Sequence, residues 1–206
     1  MKAVGLIAAA GLSERMGAFK PLLPIGGKPM IERTVQTFFD AGIEDVWVVV
    51  GKNGAALIRA LSHLPVRFVP NCAYASSDML LSIQIGLADI SSVSDAEAVF
   101  LLPADMPMVP HRLLPRLIRR MEQTGAPLVF PSRNMRRLHP PLLHRSCFAS
   151  VEGYAGEDGL RGAFASLPGP VAYVLTDDEG CEIDVDTPDD YRRMLLHRED
   201  ACAARR

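Results

Sequence analysis

Short apolar runs alternate with amphipathic segments over the first half of the chain. The runs show no polar alternation and cover residues 4–8, 45–50, 66–69 and 98–102. Strands that are buried on both faces have this pattern, and parallel sheets covered by helices produce it. The four runs are therefore predicted to be strands of one sheet.

The amphipathic segments predict helices. Two of them place apolar residues on one helical face and are followed by a glycine stop signal, Gly42 and Gly125. The two faces consist of Met30, Ile31, Val35, Phe38 and Phe39, and of Leu113, Leu114, Leu117, Ile118 and Met121. A third helix is predicted over residues 79–89. The repeated strand–helix–strand order predicts an α/β fold, a Rossmann-like open and mostly parallel sheet flanked by helices, with ligands beyond the carboxyl ends of the strands.

The second part of the chain is less regular. Residues 129–130, 142–143, 171–175 and 182–185 are predicted to form further strands, some of them antiparallel. A last helix is predicted after Thr187 and Pro188, because threonine caps helices well and proline suits the first turn. We expect a single domain over residues 1–197 and a frayed tail over residues 198–206.

Composition narrows the class of protein. The 206 residues suffice for one compact domain, and 49% hydrophobic with 22% charged residues is ordinary for a globular protein. The formal net charge is −2, so any attraction for phosphate must be local, and a nucleic-acid partner is not expected. The first apolar run is far shorter than the roughly 20 residues that span a bilayer, so no membrane segment is expected.

The cysteines point to a reducing compartment. Four are scattered along the chain without a C-x-x-C pair: Cys72, Cys147, Cys181 and Cys202. This spacing argues against a zinc knuckle, a thioredoxin-type motif and a disulfide framework. Reduced thiols in a cytoplasmic protein are the expectation.

A glycine-containing loop follows the first strand. Its small residues allow a ligand to approach the backbone, whose N–H groups can cradle phosphate oxygens, while Arg15 and Lys20 supply positive charge. The alternative is an ordinary turn whose Arg and Lys face solvent. The order is neither G-x-G-x-x-G nor the Walker motif, which disfavours dinucleotide-binding dehydrogenases and P-loop ATPases. The candidate nucleotide-binding residues are Ala9, Ala10, Gly11, Ser13, Arg15, Met16, Gly17 and Lys20.

Two acidic segments are candidates for metal binding. Asp105 follows the strand predicted at residues 98–102, between Pro103 and Pro107, and its carboxylate would suit Mg²⁺. Its alternative role is that of a turn aspartate bonded to its own backbone. If residues 183–185 form a strand, Asp184 and Asp186 point to the same face.

The glycine loop resembles the signature of a known family. Residues 9–20 read A-A-G-x-S-x-R-M-G-x-x-K, which is similar to the MobA/MocA-type nucleotidyltransferases, part of the wider superfamily with the nucleotide-diphospho-sugar transferase type of fold. The segment around Asp105 resembles the family's D-x-P metal motif, and residues 184–190 resemble its D-[IV]-D-T-P-x-D element. The resemblance implies Mg²⁺ held by Asp105 and Asp184, although the sequence does not separate Asp184 from Asp186. Asp186, Asp189 and Asp190 are expected to cap the final helix.

Further motifs of this resemblance suggest the two substrate sites. Residues 71–82 resemble a stretch near the nucleotide, with Ser82 as the candidate contact and Asp78 where glycine is common. His139 matches a His-Pro segment near the acceptor, although Leu138 replaces the usual glycine. Arg161, in a G-x-x-G-[LA]-R element, is the candidate for the acceptor's phosphate. Basic side chains are dense over residues 132–146: Arg133, Arg136, Arg137, His139, His144 and Arg145. This density suggests a basic cavity mouth for an anionic acceptor. The alternative is a solvated loop.

The resemblance is closer to the MocA type and implies a function. It implies Mg²⁺-dependent transfer of CMP from CTP to molybdopterin with release of pyrophosphate, with Arg15, Lys20 and Asp105 in catalytic roles. A molybdoenzyme or its chaperone would then be a possible partner for the product. CTP is implied by the resemblance alone. Three alternatives stay open: an NTP transferase acting on a sugar phosphate or phospho-alcohol, a non-catalytic chaperone of the pterin cofactor, and a nicotinamide oxidoreductase, which the missing G-x-G-x-x-G disfavours.

Overall fold

A central, mostly parallel sheet organises the protein. The computed structural model describes residues 1–11, 18–75 and 78–203, with side chains up to residue 196. The strands in this part of the chain are β1 (Ala3–Ala9), β2 (Pro24–Ile25), β3 (Lys28–Pro29), β4 (Val46–Val50), β5 (Val66–Pro70), β6 (Ala98–Pro103), β7 (Leu128–Arg133), β8 (Arg136–Arg137), β9 (Leu142–His144) and β10 (Val171–Leu175).

The strand order of the main sheet is β10-β7-β9-β6-β1-β4-β5, with β8 paired to β7. Strand β9 runs antiparallel to both β6 and β7, β8 is antiparallel to β7, and the other pairs are parallel. Strands β2 and β3 form a separate hairpin. The carboxyl ends of β1, β4, β5 and β6 therefore lie along one edge of the sheet.

Helices cover both faces of the sheet. They are α1 (Met30–Asp40), α2 (Gly54–Leu61), α3 (Met79–Val93), α4 (Leu114–Thr124), α5 (Phe148–Glu152), α6 (Gly159–Ala165) and α7 (Pro188–Ala203). Alternate strand residues point to opposite faces: Ile7 packs with α1, α2 and α4, whereas Leu6 packs with α3, α5 and α6. This double burial explains the uninterrupted apolar runs of the sequence.

The structure confirms the predicted α/β architecture and most of its elements. The four apolar runs are β1, β4, β5 and β6, and the helices ended by Gly42 and Gly125 are α1 and α4. Helix α3 continues to Val93, beyond the predicted end at residue 89. The prediction of a strand over residues 182–185 is wrong. That segment runs as a loop, since its N–H groups bond elsewhere, including Val185 N–H to the Asp105 carbonyl at 3.1 Å.

The start of α7 agrees with its predicted cap. The Thr187 N–H donates to Asp190 Oδ2 at 2.8 Å, and the Asp190 N–H donates to Thr187 Oγ1 at 3.2 Å. This reciprocal pair satisfies two N–H groups at the helix start. The backbone of α7 stays helical to Ala203, past the expected beginning of the tail at residue 198. In the portion of the chain that the structure describes, no helix combines the length and apolarity needed to cross a membrane.

A substitution at Gly86 tests how closely α3 packs on the sheet. A Cβ at Gly86 would meet both Cδ atoms of Leu6, which is fully buried. Gly86→Ala is expected to lower the free energy of unfolding by about 1–3 kcal/mol through overpacking, measured by urea unfolding. Leu6→Ala should relieve much of this cost in the double variant. Stabilisation by about 1 kcal/mol, as for an exposed helical Gly→Ala change, would contradict the packing.

Candidate active site

A cavity of about 250 Å³ lies at the carboxyl ends of the parallel strands. The end of β1 supplies Ala9, Ala10 and Gly11, and the loop after β6 supplies Asp105. The remaining lining residues are Ala8, Lys20, Pro21, Tyr74, Asp78, Met79, Ser82, Pro103 and Ala104. This is the edge at which open α/β sheets bind ligands.

Close packing brings β4 against the loop that follows β1. A Cβ at Gly51, just after β4, would lie 2.8 Å from the Ala10 carbonyl oxygen and 2.6 Å from Tyr74 Cβ. Only glycine fits such an approach of two chain segments. The close approach at Gly51 therefore packs against Ala10 and Tyr74, both of which line the cavity.

Lys20 lies between two carboxylates at the cavity. Its Nζ is 3.3 Å from Asp105 Oδ2 and 2.5 Å from Asp186 Oδ1. The Lys20 side chain is 9% exposed, and the carboxylate side chains are 25% and 29% exposed. Three residues that are distant in sequence thus form one partly buried charge cluster, called the Lys20 cluster below.

A buried threonine of α1, Thr34, holds the loop that carries Asp105. Thr34 is fully buried, and its Oγ1 lies 3.1 Å from the Ala104 carbonyl oxygen. The Ala104 N–H donates to the Ala8 carbonyl at 3.1 Å, which ties the loop to β1. Because the Asp105 carbonyl also accepts from Val185, the loop connects the glycine-loop side of the site to the segment of Asp184 and Asp186.

The electrostatics of Asp105 reflect its burial. Burial raises the pKa of Asp105 above the ordinary value of a carboxyl, and the attraction of Lys20 offsets this only in part. The neighbouring charge of Asp186 raises the pKa of Asp105 further. A cation beside the two carboxylates therefore favours their ionised forms.

A second cavity of about 650 Å³ adjoins the first. Met79, Pro103 and Asp105 line both cavities. The second cavity is further lined by Met106, Arg136, Arg137, Leu138, His139, Cys181, Glu182, Asp184 and Asp186. Asp105 thus stands where the two cavities meet.

The structure distributes the predicted site residues between these cavities. Ala9, Ala10, Gly11, Lys20 and Ser82 line the first, while His139 and Asp184 line the second. Ser82 is buried and accepts a hydrogen bond from Asn71 Nδ2 at 3.1 Å. Arg161 is exposed on α6 and lines neither cavity. Ser13, Arg15, Met16 and Gly17 lie outside the described residues, so their assignments stay predictions.

One expectation about the acidic segment requires correction. Asp186 was expected to cap α7, but it pairs with Lys20, and Asp190 takes the capping role. Asp184 is exposed on the wall of the second cavity, and its carboxylate has no hydrogen bond or ion pair within the described ranges. As residues 182–185 form no strand, the expected alternation of Asp184 and Asp186 on a strand face does not apply.

Sequence reasoning missed two residues that line the first cavity. Tyr74 carries no motif signal. Asp78 stands where the resembling family commonly has glycine, and the motif gives it no role. In the structure its Oδ1 accepts the Leu81 N–H at 3.2 Å, so Asp78 caps α3. The D-x-x-L order before an apolar helix could have identified this cap.

The comparison with known families agrees with this geometry. A MobA-like NTP transferase domain matches residues 5–171, a span that contains Lys20, Asp105 and most residues of both cavities. The chain belongs to the MobA-like NTP transferase family.

Two relatives match most of the chain. A probable molybdenum cofactor guanylyltransferase of Haloferax mediterranei is 33% identical over 170 residues, 79% of this chain and 77% of that protein. The nicotine blue oxidoreductase of Paenarthrobacter nicotinovorans is 26% identical over 203 residues, 93% of this chain and 95% of that protein. Proteins similar to this chain are therefore named for different activities.

A solved structure shares the fold closely. Rv0371c from Mycobacterium tuberculosis superimposes with a TM-score of 0.79 and 26% identity, covering 95% of this chain and 99% of that chain. The same protein has been solved in complex with manganese, with a TM-score of 0.73 and 25% identity. The fold is of the predicted nucleotide-diphospho-sugar transferase type.

Lys20→Met is expected to destabilise the fold, because it leaves two converging carboxylates without their cation. The expected loss in free energy of unfolding is about 3 kcal/mol at neutral pH, measured by chemical denaturation. Lys2→Met is the matched control, since Lys2 also contacts two aspartates, Asp95 and Asp45, but is 48% exposed. The control should change the free energy of unfolding far less, because solvent screens an exposed ion pair. Equal effects of the two substitutions would show that burial of the Lys20 cluster has no energetic consequence.

Proposed function

We propose that the protein is a Mg²⁺-dependent nucleotidyltransferase that transfers CMP from CTP to molybdopterin and releases pyrophosphate. The single observation that carries the proposal is the position of Asp105 in the wall shared by two adjoining cavities. Two substrates bound on either side of this residue would meet beside it. The family membership supports nucleotide transfer as the reaction type.

The proposed mechanism depends on positioning and charge. An oxygen of the acceptor's phosphate attacks the α-phosphorus, the bond from that phosphorus to the bridging oxygen breaks, and pyrophosphate leaves with the electron pair. Lys20 and the backbone near Gly11 line the first cavity, where they would hold the β- and γ-phosphates. Arg15 is proposed to assist them. Both reactants are anions, so aligning them and offsetting their repulsion supplies most of the rate enhancement.

The residues of the Lys20 cluster fit a divalent metal ion. The carboxylates of Asp105 and Asp186 both contact the Lys20 ammonium, so they lie close to each other. Carboxylate oxygens are the ligands that Mg²⁺ prefers. Asp105 together with Asp184 or Asp186 would hold the ion. Bound Mg²⁺ would offset negative charge on the α-phosphate and the leaving group. The manganese complex of Rv0371c, at 25% identity, supports a divalent ion in this fold.

The choice of substrates rests on the relatives and the motifs. The relative named as a probable molybdenum cofactor guanylyltransferase supports a molybdenum cofactor as acceptor. Cytosine is proposed because the D-V-D-T-P and G-E-D-G-L-R elements resemble the MocA type. Passage of the product to a molybdoenzyme or its chaperone, and the cytoplasm as compartment, remain predictions.

The experiment that tests this function measures pyrophosphate release from CTP, GTP, ATP and UTP, with and without Mg²⁺. The acceptor is molybdopterin, a sugar phosphate or a phospho-alcohol, or is left out. Release is expected with CTP and molybdopterin together, and chelation should abolish it. If GTP were the only one of the four nucleotides to release pyrophosphate, the protein would instead be a guanylyltransferase. Release only with a sugar phosphate or phospho-alcohol would replace the acceptor, and no release with any pair would remove the proposal.

An oxidoreductase is the second candidate function. The 26% identity to nicotine blue oxidoreductase over almost the whole chain favours it. The absence of G-x-G-x-x-G from the loop after β1 disfavours dinucleotide binding there. Equilibrium titration with NADH and NADPH separates the two candidates, because the transferase is expected to bind neither.

Asp105→Ala is expected to lower turnover at least ~10²-fold, as for other preorganised charges that act on the transition state. Near-normal turnover would remove Asp105 from the site. Asp184→Asn and Asp186→Asn identify the second ligand when Mn²⁺ binding is measured by electron paramagnetic resonance. The variant that loses Mn²⁺ binding marks the ligand, whereas unchanged binding in both would exclude this pair of residues.

A further inference from the structure

The basic side chains of residues 132–146 do not form one ligand-binding surface. Arg133 pairs with two glutamates, at 3.0 and 2.9 Å. Arg145 donates to three backbone carbonyls at distances of 2.8 to 3.2 Å. These two arginines therefore hold parts of the fold together, whereas Arg136 and Arg137 line a cavity that also contains carboxylates.

A separate group of arginines lies on α4, next to strand β10. A cavity of about 290 Å³ lies between the two elements and is called the α4–β10 groove below. Its lining residues are Arg116, Arg119, Arg120 and Gln123 of α4 with Tyr173 and Val174 of β10. None of them lines either cavity of the candidate active site. The groove is therefore a surface of its own.

The arginines of the groove lack counter-charges. All three are exposed, and the side chains of Arg119 and Arg120 make no hydrogen bond or ion pair within the described ranges. Arg116 donates to the Leu175 carbonyl at 2.7 Å. Like charges that are three or four residues apart on a helix repel each other. An anionic group in the groove would relieve this repulsion.

The carboxylates near the groove do not neutralise it. Helix α4 carries one acidic residue, Glu122, which pairs with the N-terminal ammonium at 3.1 Å. Beyond β10, Asp178 pairs with Arg112 at 2.7 Å. Asp177 is exposed and does not line the groove. The groove is thus a local positive surface on a chain whose formal net charge is −2.

Strand β10 forms an edge of the main sheet. It pairs with β7 and with no other strand in the part of the chain that the structure describes. The Thr176 N–H, just after β10, donates to a β7 carbonyl at 3.0 Å. Because the N–H and C=O groups of a strand alternate between its two sides, those of Val171, Tyr173 and Leu175 point away from β7. Arg116 bonds the Leu175 carbonyl, which leaves the outward groups of Val171 and Tyr173 for another chain.

The two faces of β10 would receive different side chains from an added strand. Ala172 and Val174 are buried in the same cluster as the apolar residues of α4, so an added strand would point half of its side chains toward the arginines. Tyr173 and Leu175 lie on the opposite face and are 39% and 72% exposed. The other side chains of the added strand would lie beside these two residues. A segment that alternates acidic and apolar residues therefore matches both faces.

A second copy of this chain fits the edge less well. A two-fold pairing of β10 with the β10 of another copy would place both α4 helices on the same face of the joined sheet. The arginines of the two copies would then meet across the interface, where like charges repel. The charge of the groove therefore favours an acidic partner of different sequence.

We propose that the α4–β10 groove binds an extended acidic segment of a partner protein, which adds a strand to the sheet at β10. The backbone of the segment pairs with the outward groups of Val171 and Tyr173. Its carboxylates contact Arg119 and Arg120, and its apolar side chains cover Leu175. This binding site goes beyond the proposed reaction, since its residues are separate from both cavities of the candidate active site.

Fluorescence anisotropy with synthetic peptides and the full-length protein tests the proposal at low ionic strength. The probe is a fluorescein-labelled peptide of about six residues, a usual strand length, that alternates Glu and Val and is blocked at both ends. It is expected to bind at least about tenfold more tightly than a peptide in which each Glu is replaced by Lys. Equal affinity of the two peptides, or no binding of either, would overturn the proposal.

Two backbone-methylated forms of the probe test the added strand. One carries N-methyl groups on the Glu nitrogens, and the other carries them on the Val nitrogens. These two sets of N–H groups point to opposite sides of a strand, so only one set faces β10. One form should therefore bind at least about tenfold more weakly than the other. Equal affinity of the two forms would show a contact through charge alone and refute strand addition.

A double variant tests the location of the site. Arg119→Glu combined with Arg120→Glu reverses the charge of the groove and should weaken binding of the Glu–Val probe at least about tenfold. Both arginines are exposed, so the variant should fold, and thermal unfolding checks this. Unchanged affinity in the folded variant would exclude the groove as the binding site.

The matched control combines Arg59→Glu with Arg67→Glu. These are exposed arginines of α2 and β5, and β5 forms the opposite edge of the main sheet. The control should bind the Glu–Val probe like the wild type. A loss of binding in the control that equals the loss in the double variant would show that the peptide responds to overall charge, and would overturn the proposal.

Discussion

The Lys20 cluster is the interaction on which the site depends. One partly buried ammonium draws together carboxylates from two loops, Asp105 after β6 and Asp186 before α7. Without a positive charge there, two carboxylates in a shielded position would repel each other and favour protonation. Lys20 supplies that positive charge.

The scaffold makes this arrangement rigid. Thr34 is buried at the Ala104 carbonyl, Gly51 lets β4 approach the loop after β1, and Val185 is bonded to Asp105. A small apolar cluster that includes Ile25, Met30, Val185 and Met194 packs the final helix against the β2–β3 hairpin. Residues from the C-terminal part of the chain therefore lie beside residues that follow the first strand.

The two cavities that meet at Asp105 differ in their lining residues. The first is smaller, and four alanines, Gly11 and Lys20 are among its lining residues. The second is larger, and its lining combines two arginines, Arg136 and Arg137, with the carboxylates of Asp105, Glu182, Asp184 and Asp186. Asp105, which lines both cavities together with Met79 and Pro103, lies beside the Lys20 ammonium.

The sequence by itself determined the sheet, the helices ended by Gly42 and Gly125, the cap of α7, and the assignment of Lys20 and Asp105 to one site. These follow from local periodicity, capping and contiguous motifs, which act over a few residues. Only the tertiary structure decided that Asp186 pairs with a lysine 166 positions away, that residues 182–185 form a loop, and that Arg133 and Arg145 are structural while Arg136 faces a cavity. Such pairings depend on which charges meet after the chain has packed, and several identical side chains in one segment give no local signal of their partners.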